Sequence, residues 1–234
     1  MTDIEEKFKE ISIDGKIYDL KKYHQYNNTI QKSKLIICEG LDDLYFLNYF
    51  LKSLDITDIE VRYIEGKFEY KSLSAYLKIF NNFNVLKSLA LVCDADDISA
   101  NEEFNRLKKI LNKINKENSI PERNLIFPNE INRFSDGTPK IGVFIFPNNK
   151  DKGRLEDLFL SCVKNEPEME CVNSFMDCVS KLGKMQKIPS KAKTLAYLAA
   201  QYETRRGVGG AAREGIWEFK TDELNEVKNF IENL

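Results

Sequence analysis

Two apolar stretches of the sequence each run directly into a group of carboxylates. The first stretch ends at Glu39, with Asp42 and Asp43 following within four residues, and the second ends in Asp94 and Asp96. Several carboxylates at close range repel one another, so they either take up protons or share a cation. Oxygen ligands without histidine or cysteine favour Mg²⁺ or Mn²⁺. The pattern therefore predicts a divalent metal site.

Alternating strands and helices are the elements that must position these acids. From residue 34 the chain alternates between apolar strand patterns and helical spacing, which predicts βαβ units and a mainly parallel, doubly wound α/β sheet. Ligands of such sheets bind at the carboxyl ends of the strands, so acids after neighbouring strands would meet at one edge. We expect strands over 34–40, 59–66, 87–96, 123–128 and 140–147, and helices over 42–54, 69–83, 99–116, 154–164, 169–182, 190–203 and 221–233.

The same pattern predicts three regions along the chain. Residues 1–32 form an N-terminal extension with a hairpin over 10–19 that turns at Asp14-Gly15. Residues 33–150 form the α/β core, and residues 151–234 form a helical C-terminal region packed on that core.

The composition excludes several classes of protein. The 234 residues are 42% hydrophobic and carry a net charge of −2, which excludes a uniformly basic nucleic-acid-binding protein. No apolar run approaches the roughly 18 residues of a membrane span. The charged N-terminus contains no signal-peptide pattern. The five cysteines form no CxxC pair and there is one histidine, which argues against zinc. We expect a soluble, cytoplasmic protein with no membrane partner.

The acidic segments "IICEGLDDLYFL" and, about 50 residues later, "LVCDADD" resemble the Toprim domain family. This resemblance implies that Glu39 is the catalytic glutamate and also a metal ligand. It further implies that Asp43, Asp94 and Asp96 hold the metal ion. Topoisomerases tend to carry a third acid where this chain has Ile98, and no cleavage-domain tyrosine is recognisable, so the resemblance does not extend to a topoisomerase.

The downstream sequence is similar to small stand-alone Toprim-like proteins related to OLD-family nucleases. In "GRLEDLFL" the resemblance implies that Glu156 is a late metal ligand. In "IPSKAKTLAYLAA" it implies that Lys193, or Lys191, approaches the scissile phosphate. Arg205 and Arg206, in the glycine-rich stretch 204–215, are weaker candidates for phosphate contacts.

Each of these features also has an ordinary structural interpretation. Asp42, Asp43 and Glu156 suit the first turn of a helix, where acids stabilise the helix dipole. The lysine-rich segment 181–193 is typical of a solvated helix face, and the glycine-rich stretch 204–215 of a flexible loop. The conjunction of acids at two strand ends is what favours a metal site over these alternatives.

Three functions follow, in decreasing order of preference. The first is metal-dependent phosphodiester hydrolysis by a Toprim-like nuclease acting on nucleic acid, with DNA expected, in an antiviral or DNA-repair system. The second is a non-catalytic or partner-activated regulatory or scaffold module. The chain has no G-x-x-x-x-G-K-[ST] loop, so an ATPase partner would be a separate protein. The third is a phospho-acceptor receiver domain, which the D-x-D at the third strand disfavours.

Overall fold

The structure is a computed structural model and describes residues 10–13, 16–19, 29–117, 124–183, 187–201 and 207–234. The predicted turn at Asp14-Gly15 and the candidate phosphate contacts Arg205 and Arg206 lie outside the described residues. Two short strands, β1 (Glu10–Ile13) and β2 (Lys16–Asp19), pair antiparallel within the segment where a hairpin is expected.

The centre of the fold is a parallel sheet. Its four strands lie in the order β4-β3-β5-β6, and every neighbouring pair is parallel. This confirms the predicted parallel α/β architecture. The strands are β3 (Lys34–Cys38), β4 (Ile59–Tyr63), β5 (Ser88–Asp94) and β6 (Lys140–Phe146).

Helices connect the strands and follow the sheet. Two short 3₁₀ turns lie at Phe83–Val85 and Asp222–Leu224. None of the helices in the described ranges is both long and apolar enough to cross a membrane. The α-helices are α1 (Leu41–Ser53), α2 (Tyr70–Lys78), α3 (Ala100–Lys116), α4 (Leu155–Cys162), α5 (Glu168–Lys181), α6 (Pro189–Ala199), α7 (Val208–Arg213) and α8 (Asn225–Glu232).

Helices cover both faces of the sheet because the strands are apolar on both sides. In β3, Ile36 and Cys38 pack into one hydrophobic layer, and Leu35 and Ile37 pack into the other. The first layer is completed by α1 and the C-terminal helices, and the second by α2 and α3. Alternate side chains of a strand point to opposite faces, so two layers follow from a fully apolar strand. The predicted doubly wound arrangement is therefore confirmed.

The strand predicted over 123–128 is wrong. Over 124–128, its described part, the chain forms no strand. The side chain of Asn115 accepts the Leu125 N–H at 3.0 Å and donates to the Leu125 carbonyl at 2.8 Å. These bonds satisfy the backbone of an apolar segment without a neighbouring strand. The edge of β6 is instead lined by residues 132–135, where Asn132 and Ser135 donate backbone bonds to Val143 and Ile141.

Candidate metal centre

Strands β3 and β5 bring the two acidic segments to the same edge of the sheet. Cys38 lies opposite Val92 in the parallel register, so Glu39 and Asp94 leave neighbouring strands at the same carboxyl edge. The two acidic segments come to the same edge because β3 and β5 are adjacent in the sheet. The sequence alone does not establish that adjacency.

Glu39 is a buried carboxylate with one fixed oxygen. Its side chain is 9% exposed, and Oε1 accepts the Phe68 N–H at 2.6 Å. Burial raises the pKa of Glu39 to about 7, the negative charge of Glu103 adds to this, and the Phe68 bond with the cations Lys67 and Arg106 opposes it. The Glu39 carboxyl therefore exchanges a proton near neutral pH.

Asp43 fits both interpretations of its position, as an acid in the first turn of a helix and as a member of the acidic cluster. It caps α1, because Oδ2 accepts the Gly40 N–H at 2.9 Å. It is also buried, and burial raises its pKa to about 8. The charges of Glu39, Asp42 and Glu156 contribute to that rise. The bond to Gly40 thus holds a buried carboxyl whose pKa neighbouring acids raise.

Asp94 ends β5 and is held by the first residue of α4. Its Oδ1 accepts the Leu155 N–H at 3.0 Å. Burial raises the pKa of Asp94 well above its usual range, and the charges of Asp43 and Glu156 raise it further. Asp94 pairs with no cation within 4.0 Å among the described residues.

Glu156 enters the same cluster from the first turn of α4. It is buried, and its Oε1 lies 3.5 Å from Nζ of Lys191. Burial raises the pKa of Glu156, while Lys191 lowers it. Lys193 forms no ion pair with the described residues. It follows Lys191 by two positions, roughly 200° around α6. Of the two lysines implied by the resemblance, the structure brings Lys191 to the acids.

Asp96 has different surroundings from Asp94. Its Oδ1 lies 2.8 Å from Nε of Arg154, and its Oδ2 lies 2.9 Å from Nζ of Lys67. The backbone of Asp96 is left-handed, with φ of 58°. Its N–H and carbonyl both bond to Gly153, each at 2.9 Å. Asp96 is therefore bound by two cations that the sequence did not identify.

A second group of possible ligands lies beside Glu39. Ligand atoms of Glu39, Cys93 and Glu103 lie within 4.8 Å of one another. Glu103 is fully buried and is already paired with Arg106, whose Nε donates to it at 2.7 Å. Burial raises the pKa of the Cys93 thiol well above its usual range, so the thiolate that metals bind is disfavoured. This group is better explained as a buried ion pair beside a core thiol.

The glycine-rich stretch contributes a helix to the site. The sequence predicts a loop over 204–215, but α7 covers Val208–Arg213, which corrects that expectation for the described part. The Gly209 N–H donates to Oδ1 of Asp42 at 2.9 Å. A Cβ on Gly209 would lie 2.8 Å from Cα of Asp42, so the glycine allows α7 to approach α1 closely.

Comparison with known proteins places the chain in a family. The chain belongs to the DUF3226 family, described as proteins of unknown function, and the family model matches residues 33–234. No curated protein and no solved structure matches the chain at a significant level.

Four carboxyls thus lie at the carboxyl edge of the sheet, and the charges of Glu39 and Glu156 raise the pKa of both Asp43 and Asp94. Among the described residues, the cation within 4.0 Å of one of these carboxyls is Lys191, which lies beside Glu156. Each carboxyl is buried or nearly so, and each has a raised pKa. A divalent cation would relieve this repulsion, because it interacts favourably with several carboxylates at once. The residues that would hold it are Glu39, Asp43, Asp94 and Glu156, although the ligand atoms found within 4.8 Å of one another among the described residues belong to Glu39, Cys93 and Glu103.

Proposed function

We propose that this protein is a Toprim-like nuclease of the cytoplasm that hydrolyses phosphodiester bonds of nucleic acid with Mg²⁺ or Mn²⁺. The observation that carries the proposal is the position of four largely buried carboxylates at the carboxyl edge of a parallel sheet: Glu39 and Asp94 leave the neighbouring strands β3 and β5, and Asp94 accepts the N–H of Leu155, the residue before Glu156. The edge is where ligands of such sheets bind. The acidic sequence segments that resemble the Toprim family supply these residues.

The donor set suits a hard cation. Asp43, Asp94, Glu156 and Glu39 offer oxygen atoms, while the neighbouring Cys93 keeps its proton because burial raises its pKa. Mg²⁺ and Mn²⁺ prefer such oxygen ligands. When bound, the ion supplies Lewis acidity and lowers the pKa of a coordinated water.

The side chains around this cluster have separate tasks in the proposed reaction. Glu39, with a pKa of about 7, can take a proton at Oε2 because Oε1 is engaged by Phe68. Lys191 offsets the negative charge of Glu156 and can neutralise charge on the phosphate. Lys193 stays a prediction for that second task, and DNA stays the expected substrate.

A cleavage assay tests this proposal. Plasmid, single-stranded DNA and RNA are incubated with Mg²⁺, Mn²⁺ or EDTA, using wild type, Glu39→Gln and Asp94→Asn. We expect metal-dependent cutting that falls by about a hundredfold or more in both variants. Asp177→Asn, on the exposed face of α5, is the matched control and should cut like wild type.

Two other outcomes have definite meanings. Cutting by Asp94→Asn at the wild-type rate would exclude the proposed centre. If no substrate is cut while Mg²⁺ raises the melting temperature of wild type alone, the nuclease proposal fails for the isolated chain. The result would then favour a regulatory or partner-activated module, whose ATPase partner would be a separate protein.

A further inference from the structure

We infer that Arg154 and Lys67 contact the substrate phosphate, and that Asp96 positions these two cations rather than binding the metal ion. The inference rests on the proposed function, since it names the residues that meet the phosphodiester beside the four carboxylates. It departs from the resemblance, which implied that Asp96 is a metal ligand alongside Asp94.

The two acids of the D-x-D segment differ in what their oxygens contact. Both oxygens of Asp96 are engaged by cations, Oδ1 by Arg154 at 2.8 Å and Oδ2 by Lys67 at 2.9 Å. Asp94 instead accepts one backbone N–H, from Leu155 at 3.0 Å. A metal ion at Asp96 would have to displace two ion pairs, whereas at Asp94 it would relieve repulsion. The ligand role therefore fits Asp94 and not Asp96.

The backbone fixes Arg154 in this arrangement. Gly153, the residue before it, exchanges two hydrogen bonds with Asp96, each at 2.9 Å. Gly153 has φ of 138°, and a Cβ there would lie 2.9 Å from Oδ2 of Asp157. The Arg154 N–H in turn donates to that same Asp157 oxygen at 2.8 Å. The start of α4 and the D-x-D segment are thus joined so that the guanidinium meets Asp96.

Both cations keep the capacity to bind a further anion. The Arg154 side chain is 13% exposed; its guanidinium has five N–H donors, and its contacts are Nε to Asp96 and a terminal nitrogen 3.4 Å from Asp97. The side chain of Asp97 is 93% exposed, so that second contact is solvated and weak. The Lys67 side chain is 37% exposed and lies 3.8 Å from Glu103, which is already paired with Arg106.

The charges match a phosphodiester. Arginine presents parallel donors that suit two phosphate oxygens, and lysine supplies a point charge. A phosphate held by both would lie next to Asp96, two residues from Asp94 and its neighbouring acids. Lys191 contacts the acid cluster through Glu156 on α4, so the phosphate would have cations from α6 as well as from the Asp96 group.

Binding without metal tests the phosphate contacts independently of cleavage. A fluorescent single-stranded DNA and an RNA of the same sequence are titrated in EDTA, at several salt concentrations, against wild type, Arg154→Gln and Lys67→Gln. We expect each variant to bind about tenfold more weakly. We also expect the slope of log K against log salt to become shallower by about 0.7 for each cation that a substitution removes from the phosphate. Lys152→Gln removes an exposed charge two residues from Arg154 and should bind within about twofold of wild type.

Metal binding tests the role of Asp96. Mn²⁺ is titrated by electron paramagnetic resonance into wild type, Asp94→Asn and Asp96→Asn. Asp94→Asn should lose about tenfold or more in affinity, and Asp96→Asn should stay within about threefold of wild type. Equal losses in the two variants would overturn the assignment of Asp96.

The remaining outcomes also decide the inference. If wild type binds neither oligonucleotide in EDTA, or if Arg154→Gln and Lys67→Gln bind as wild type does, the phosphate contacts are wrong. Adenosine triphosphate is the comparison ligand: if Arg154 affects its binding and not that of the oligonucleotides, the phosphate belongs to a free nucleotide. Cleavage by wild type with unchanged binding in both variants would leave the nuclease proposal intact and overturn this one.

Discussion

The Gly209 N–H donates to Oδ1 of Asp42 at 2.9 Å, which joins α7 to the first turn of α1. Burial raises the pKa of Asp43, the next residue, and the charges of Glu39, Asp42 and Glu156 add to this rise. The contact between α7 and α1 therefore helps to set where the acids lie. Glycine at 209 makes it possible, since a Cβ would lie 2.7 Å from Oδ1 of Asp42 and 2.8 Å from its Cα.

Gly209→Ala should destabilise the protein by about 1–3 kcal/mol, because the added methyl overlaps backbone atoms of Asp42 that cannot rotate away. In a helix that makes no such contact, the same change is worth up to about 1 kcal/mol of stabilisation. The sign of the effect thus separates close packing from helix propensity. Urea unfolding followed by the fluorescence of Trp217, the single and buried tryptophan, measures the free energy of unfolding.

Gly207→Ala is the matched comparison for this prediction. A Cβ there would lie 2.9 Å from both carboxylate oxygens of Asp42, and the backbone of Asp42 is not among its nearest atoms. In an Asp42→Ala background the cost of Gly207→Ala should disappear, whereas the cost of Gly209→Ala should persist. Equal relief of both variants would contradict the backbone overlap at Gly209.

The stability of the metal-free protein should fall as pH rises from about 4 to about 8. Folding raises the pKa of Glu39 from 4.5 to about 7 and that of Asp43 from 3.8 to about 8. Between those values the folded protein binds more protons than the unfolded chain, so the free energy of unfolding decreases with pH. Each unit of raised pKa corresponds to about 1.4 kcal/mol, so the rises for Glu39 and Asp43 together correspond to a loss on the order of 9 kcal/mol.

Melting temperatures measured in EDTA and in Mg²⁺ across this range check the pH prediction. Mg²⁺ should flatten the profile, since it favours the ionised carboxylates, and Asp43→Asn should flatten it in EDTA. Lys67 and Arg106 lower the pKa of Glu39, and Glu103 raises it, so these three residues are left unchanged. If the melting temperature of wild type in EDTA stays level or rises from pH 5 to 8, folding does not raise the pKa of Glu39 and Asp43.

Much of the fold could be predicted from the sequence because its signals are local. Apolar runs such as 34–38 and 88–93 mark strands buried on both faces, and Ser99 marks the start of α3, where its side chain caps the helix. The apolar segment around Leu125 has the pattern of a strand but forms none, because its backbone partner is the side chain of Asn115. Nothing in a local pattern distinguishes that partner from a neighbouring strand.

From the residues alone, the candidate site could be predicted where its acids stand at or just after strand ends, while Glu156 and Lys191 were expected only from the Toprim resemblance. Glu39 and Asp94 follow apolar runs, and the order of the strands then brings them together. Lys67 and Arg154 lie in ordinary polar segments far from Asp96 along the chain. Only folding brings their charged groups to the Asp96 carboxylate. Glu103 looks like a solvated acid in the first turn of α3, yet it is fully buried.

Asp94→Asn should stabilise the metal-free protein while removing its response to Mg²⁺. At pH 8 the folded protein must either keep a proton on Asp94 or accept its charge beside Asp43 and Glu156. The amide avoids both costs, so we expect the free energy of unfolding in EDTA to rise by about 1–3 kcal/mol. The Mg²⁺-dependent rise in melting temperature should disappear. Asp177→Asn, which changes an exposed acid of α5, should alter neither quantity, and a destabilised Asp94→Asn would contradict the proposed repulsion.

The ion pair of Glu103 and Arg106 lies beneath the loop that binds Glu39. Glu103 is fully buried, and Arg106 donates from Nε to its Oε2 at 2.7 Å. Arg106 also donates to the Phe68 carbonyl at 2.5 Å, next to the Phe68 N–H that binds Glu39. Arg106 therefore neutralises one buried acid and fixes the loop that holds another.

Arg106→Gln should cost about 3–5 kcal/mol, because the buried carboxylate of Glu103 loses its closer cation and keeps only Lys67, at 3.8 Å. The double variant Glu103→Gln, Arg106→Gln should recover a large part of that loss, since no buried charge then remains at the pair. Urea unfolding of the two single variants and the double variant gives the coupling between the residues. Additive losses in this cycle would show that Arg106 acts through the Phe68 loop alone and that Glu103 is stabilised by other groups.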